Sequence, residues 1–269
     1  MKVSNRIIVS VLLLIILVIF RINAQESLTA REIIMRSHEV GKLTGSESII
    51  TMRIVNKRGN ERIRKISSLS KTDSDTGTEK RLIVFISPAD VKGTGMLIFD
   101  HENKDDNMWL YMPALRKTRR IVSSDKSKSF MGSEFANADI SNPNIDEYHY
   151  TLSGTEILDN SDCWKIEACP RDEDIADIYG YSKKIIFIGK TDFVARRVVY
   201  FDYDGEVWKE LIARNIKSLD GMNKKYQAQE ITMLNKQNGR KSVMSFDKIQ
   251  LNPDVKDNYF TIRYLEKSG

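Results

Sequence analysis

The apolar positions of this chain change their period twice. From Ile7 to Phe20 they are almost continuous, with Lys2 and Arg6 before them and a short polar stretch at 21–25 after them. Between Thr29 and Lys42 the pattern becomes amphipathic: Ile33, Ile34 and Val40 recur among charges, and Gly41 and Gly45 stand where a helix can end. From Ser46 onward the runs are short, β-rich and punctuated by turns. "SIITMRIVNKRGNERIRKISSLS" puts Ile50, Met52 and Ile54 on one face and supplies a hairpin turn at "NKRGN". The same grammar continues through "KRLIVFISP", "GTGMLIFD", "NMWLYMP", "YHYTLSGTEI", "DCWKIEAC", "SKKIIFIGK" and "ARRVVYFDYDGEVWKELIARNI". Further hairpin signals stand at Asp204-Gly205, read as a type I′ turn, and at Asn238-Gly239.

Strands joined by tight turns predict an antiparallel meander of about ten strands, a mainly β (α+β) fold. A sheet that wide twists, so the expected form is a curled, open β-barrel or half-barrel with a concave face to fill. The helix at 29–42 and helical pieces near 136–142 and 254–258 are the expected covers of that hollow.

The first apolar run, about 14 residues, is short of the ~20 that span a bilayer, and its basic flank and Ala24 suit a secretory signal peptide cleaved after Ala24. An uncleaved anchor is the competing reading, because Ile22 is a mediocre cleavage residue. The expectation is therefore a signal peptide at 1–24 and one domain at 25–269, exported to the periplasm. No cysteine stands just after the apolar run, the first being Cys163, so the chain is not expected to be acylated there. The 42 basic and 37 acidic residues give +5, and losing Lys2, Arg6 and Arg21 with the signal leaves +2. So small an excess gives no support to a nucleic-acid partner. Cys163 and Cys169 lie on one expected strand, ~20 Å apart when extended. A disulfide needs ~6 Å, which favours free, buried thiols unless the chain bends before Pro170.

Catalytic chemistry finds little to stand on. His38, His101 and His149 are scattered, with no metal-ligand spacing and no G-x-S-x-G elbow. Gly93-x-Gly95 precedes a strand and reads as a turn. "DYDGE" lacks the remaining ligands of a calcium loop, and "RDEDIAD" from Arg171 reads as a solvated loop. No enzyme, cofactor or metal site is expected.

The stretch 109–135 is different. Trp109 and Tyr111 fall on one face of a strand, Leu110 and Met112 on the other, so both faces carry large groups. Arg116, Lys117, Arg119, Arg120, Lys126 and Lys128 then crowd into a short span, for which a solvated face is the plain alternative. "SFMGSEF" follows, a loop holding Phe130, Met131 and Phe135, read as a mobile apolar flap beside guanidinium groups.

"WLYMPALRKTRRIVSSDKSKSFMGSEF", continuing to "ANADI", resembles the signature of the LolA-like outer-membrane lipoprotein-sorting family, in the branch found beside RND-type transporters. The likeness extends to "ISPADVKGTGML", "YFDYDGEVWKEL" and "NPDVKDNYFTIRYL". It implies a curled antiparallel sheet with helices plugging its concave side. The implied function is that of a non-enzymatic periplasmic carrier, shielding acyl chains of lipoproteins or lipids on their way to the outer membrane. An RND-type or other inner-membrane transporter would be a partner. The residues expected at the acyl site are Trp109, Tyr111, Met112, Phe130, Met131 and Phe135, with Arg116, Arg119 and Arg120 for a head group or partner. Met52, Met96, Met112 and Met131 are candidate soft lining, with ordinary core packing the alternative for each. The other class of function is an envelope stress or assembly factor that binds a protein on the same fold without lipid.

Overall fold

The computed structural model describes residues 28–268 apart from 102–105, 143, 221 and 223; the expected signal peptide lies outside the described residues. Helix α1 (Ala30–Gly41) begins where the pattern predicts. Thr29 caps it, its hydroxyl accepting from the Glu32 N–H at 3.2 Å while the Glu32 carboxylate accepts from the Thr29 N–H at 2.7 Å. This reciprocal pair satisfies two otherwise orphaned donors.

Among the described residues thirteen antiparallel strands follow, against about ten expected. They are β1 (Gly45–Val55), β2 (Glu61–Thr72), β3 (Glu79–Ser87), β4 (Gly95–Asp100), β5 (Asn107–Met112), β6 (Lys117–Ile121) and β7 (Tyr148–Leu158). The second half adds β8 (Ser161–Pro170), β9 (Lys183–Gly189), β10 (Ala195–Phe201), β11 (Val207–Asp220), β12 (Lys225–Asn235) and β13 (Lys241–Leu251). They form one sheet in the order β6-β5-β4-β3-β2-β1-β13-β12-β11-β10-β9-β8-β7. The chain thus builds outward from β1 to β6, crosses to the far edge, and meanders back from β7 until β13 pairs with β1.

The sheet is open and does not roll up into a barrel, since β6 and β7 end the ladder without pairing to each other. One face is nevertheless concave. Seven strand spacings separate β3 from β9, ~34 Å if flat at ~4.8 Å each, yet Arg81 of β3 and Lys184 of β9 line one cavity. That face carries the main core, in which Ile33 and Ile34 of α1 meet Met52, Ile66, Met96, Ile166 and Met233.

The crossing from β6 to β7 decides what fills the concave face. An open sheet can be traversed between its two edges only over one of its faces, and residues 122–142 run over the concave one. They fold into a small hairpin in which Phe130 N–H donates to Phe135 O (2.8 Å) and Asn137 N–H to Lys128 O (2.9 Å). At its tip Met131 and Gly132 both take positive φ, 52° and 75°, the two left-handed positions of a type I′ turn. The expected helical piece at 136–142 is present as a 3-10 turn at Asn137–Ile140 and lies over the cavity.

The C-terminal piece goes elsewhere. Val255, Phe260 and Leu265, the last from helix α3 (Ile262–Lys267), pack on Leu82 and Leu97, which point away from the concave face. Gly95 permits this approach: a Cβ there would stand 2.6 Å from Leu265 Cδ1. Two local expectations are also corrected. "RDEDIAD" is the start of helix α2 (Glu173–Tyr179), because the Asp172 carboxylate accepts from the Ile175 N–H at 2.9 Å and caps it. At "DYDGE" only Gly205 has positive φ, so the hairpin is a type I turn with a left-handed Gly rather than a type I′ turn. The two-residue I′ turn stands at Asp159-Asn160, φ 47° and 62°, between β7 and β8. Cys163 and Cys169 share β8 and are both free, the first buried and the second half-buried.

Candidate functional site

Beneath α1 and the crossing segment lies a cavity of about 410 Å³, within the ~300–1,000 Å³ typical of small-molecule sites. Strand register arranges its floor in levels. Lys184, Tyr200 and Lys209 stand opposite one another on β9, β10 and β11; two residues along each strand, Ile186, Val198 and Leu211 form the next level, continued by Met233 on β12. Ile188 and Ala195 make a third. Tyr148 and Tyr150 of β7, with Tyr179 and Tyr181, wall the side nearest Lys184.

The polar level is unusual for a mainly apolar hollow. Lys184 Nζ lies 4.3 Å from the Tyr148 ring centroid and 5.6 Å from that of Tyr181. Among the described residues it makes no salt bridge or side-chain hydrogen bond. Burial pushes its pKa down to about 8, against the pull of Asp139 and Glu147. Asp139 lines the same cavity and is exposed to it. Burial raises its carboxyl above the usual range, while its Oδ2 accepts from the Ala136 N–H at 2.7 Å. Lys209 donates to Glu134 O at 3.0 Å and sits 3.9 Å over the Trp208 ring, and burial lowers its pKa as well. The Tyr148 and Tyr181 hydroxyls are 2.6 Å apart, and Tyr179 donates to Glu147 at 2.5 Å. Burial raises all three phenols above their ordinary value.

The residues expected from sequence at the acyl site line no part of this cavity. Phe130 and Phe135 are 1% and 3% exposed in the main core, the Phe130 ring 5.8 Å from Phe85, so the expectation of exposed apolar groups on a flap is corrected. The cause is the crossing: their segment is pressed onto the concave face and fastened there. Arg64 reaches Met131 O, Arg81 reaches Ile140 O, and the Glu134 N–H donates to Ser242 Oγ at 2.9 Å. The buried Glu134 carboxylate takes Arg240 at 2.9 Å and Asn235 at 3.0 Å. Met131 is half-buried against the same core.

Trp109 and Tyr111 face the other way and pack with Phe99 under α3. Met112 is half-buried at the end of β5. Arg116, Arg119 and Arg120 are exposed on the β6 edge; Arg119 meets Asp125 at 3.2 Å and Arg120 donates to Asn107 at 2.6 Å. Met52 and Met96, 0% and 1% exposed, are core, and the methionine that lines the cavity is Met233. Sequence reading missed the tyrosine wall and Lys184. The available signal was the alternation in "SKKIIFIGK", which puts Lys184 on the same face as Ile186 and Ile188.

Among the described residues no helix is long and apolar enough to cross a membrane. An open antiparallel sheet whose concave face holds a cavity under a helix and a crossing loop defines a LolA-like fold. Comparison with known proteins agrees. A family model described only as "Uncharacterized protein" matches residues 77–267. A DUF1329 family protein from Desulfovibrio piger is 30% identical, with a TM-score of 0.79, over 88% of this chain and 97% of that one. A domain from Vibrio parahaemolyticus, named for outer membrane lipoprotein sorting, is 28% identical with a TM-score of 0.77, over 88% and 96%. A LolA superfamily protein from Nitrosomonas europaea, 21% identical with a TM-score of 0.67, covers 88% and 100% and shares the fold. No curated protein sequence matches. The chain belongs to the DUF1329 family, on a fold it shares with the sorting domain and the LolA superfamily protein.

Proposed function

We propose that this protein is a periplasmic carrier that holds acyl chains of lipoproteins or lipids in the cavity and takes part in moving them toward the outer membrane. The observation that carries the reading is the cavity itself, with Ile34, Ile186, Ile188, Val198, Leu211 and Met233 on its walls. Each acyl CH₂ removed from water contributes about 0.8 kcal/mol, so a long chain crosses an aqueous gap only inside such a hollow. The domain names of the relatives support it, as does the signal-like N terminus. An inner-membrane transporter, of RND type in the branch the motif resembles, is the proposed donor. The exposed Arg116, Arg119 and Arg120 on the β6 edge are the proposed contact with it.

Mass spectrometry of organic extracts from protein purified without detergent from a natively exported preparation tests the reading. Stoichiometric phospholipid or acylated peptide supports it. Protein that is empty and refuses fluorescent acyl probes overturns it.

A further inference from the structure

The floor of the cavity runs from cationic to apolar within three levels of strand register. At one level Lys184, Tyr200 and Lys209 stand side by side; the next holds Ile186, Val198 and Leu211; and Ile188 with Ala195 follows. Four residues of extended strand, ~13 Å, separate Lys184 from Ile188 on the same face. Lys209 is already engaged by Glu134 O, Glu147 by Tyr179, and Asp139 by the Ala136 N–H. Lys184 has aromatic faces directly against its ammonium, and Asp139 and Glu147 act on it only from beyond hydrogen-bond reach. The Tyr148 and Tyr181 hydroxyls share one hydrogen bond and carry two protons, so one phenol proton beside Lys184 is left to donate. The charged side chains lining the hollow, Lys42, Arg81, Lys184 and Lys209 against Glu79 and Asp139, carry a surplus positive charge even with the nearby Glu147 counted. A half-buried cation with no carboxylate in direct contact is costly, and an incoming anion supplies that contact.

We propose that the cavity selects amphiphiles with an anionic head, a carboxylate or phosphate, seated against Lys184 and the Tyr148–Tyr181 pair, with the tail laid along Ile186 and Val198 toward Ile188. This rests on the carrier reading and names the class of ligand. Neutral amphiphiles of the same tail bind the same walls without the ionic contact and are discriminated against.

The test compares cis-parinaric acid with its methyl ester, by fluorescence titration of the delipidated full chain at pH 7. The expected result is at least tenfold tighter binding of the acid, falling below threefold in Lys184→Met and retained in Lys184→Arg, with each variant shown to melt cooperatively. Equal binding of acid and ester by the unaltered protein, or a tenfold preference that survives Lys184→Met, overturns the head-group assignment and leaves the carrier reading standing. Binding of neither probe overturns both. Inorganic phosphate alone is expected to displace no probe. Displacement at millimolar phosphate would make this a site for a free anion and overturn the proposal.

Discussion

Lys184→Met is the perturbation that most directly probes the cavity's design, because it should make the empty protein more stable while removing its ionic contact. In the folded chain the Lys184 pKa is lowered from 10.5 to about 8, chiefly by burial. At 1.36 kcal/mol per pH unit, holding the charged form inside at neutral pH costs about 3 kcal/mol. Methionine removes that cost and also the cation–π contact to Tyr148 at 4.3 Å, worth about 1 kcal/mol. The net expectation is a gain of about 2 kcal/mol, or roughly 4–8 °C in Tm for a domain of this size. The sign has a pH signature. Because the folded pKa lies below the unfolded one, the unfolded state holds the extra proton between about pH 8 and 10.5, and the unaltered protein gains stability across that window. Other groups facing the ammonium are Asp139, Glu147, Lys209 and the phenols of Tyr148, Tyr181 and Tyr200. The advantage of the variant is thus full below pH 8 and shrinks above it. Calorimetry of delipidated protein at pH 6.5 and 9.5 measures both, delipidation being needed because a bound anion would itself stabilise the unaltered chain. A variant that melts lower at pH 6.5, or a gap that is the same at both pH values, would refute the reasoning.

Three further outcomes follow from the packing. Asp100 is buried beside a second cavity, its oxygens without a hydrogen bond of good geometry and Arg81 3.9 Å away. Burial raises its pKa from 3.8 to about 7, with Arg81 opposing and Asp106 and Glu79 adding to the shift. The folded state therefore favours the protonated form, and stability falls as pH rises from 4 to 7, by about 4 kcal/mol at 1.36 kcal/mol per pH unit. Asp100→Asn should flatten the fall of Tm between pH 5 and 8 and melt higher at pH 8; an unchanged slope would show that another group titrates. Gly95→Ala places a methyl group 2.6 Å from Leu265 Cδ1 and 3.3 Å from Ile83 O. It should cost about 1–3 kcal/mol, read by urea denaturation, and speed proteolysis of the C-terminal helix, whereas a neutral effect would mean that α3 is not held in that position. Phe130→Ala should cost about 3–5 kcal/mol in urea unfolding; a loss below about 1 kcal/mol would instead favour the mobile flap expected from sequence.

Much of the fold was legible because it is written in local patterns. The amphipathic spacing of Ile33 and Ile34 and the alternation of Ile50, Met52 and Ile54 each follow from a few neighbouring residues. The antiparallel sheet follows from the tight turns. The strand count was less legible, because β6, with only Ile121 of its five residues buried, has almost no apolar alternation to find. The turn at Asp159-Asn160 was missed for a similar reason: it lacks the glycine that usually announces a type I′ hairpin.

The placement of the motif's aromatics was misread through topology rather than composition. Phe130 and Phe135 look like flap residues in a loop of serines and glycine, and nothing local says that the loop must travel from one edge of an open sheet to the other. Once the order runs outward to β6 and returns from β7, the connecting segment that holds 122–142 has to cross a face, and its aromatics become the packing between that crossing and the sheet. The same topology separates the motif's own strand into two roles. Leu110 and Met108 face the main core, while Trp109 and Tyr111 anchor α3 behind it. The cavity is then left to strands whose sequences look like plain sheet, and its chemistry lies in one departure from their alternation. Lys184 occupies a position where Ile186 and Ile188 predict an apolar residue, and a charge retained there against the cost of burial is what a hollow needs if it is to distinguish one amphiphile from another.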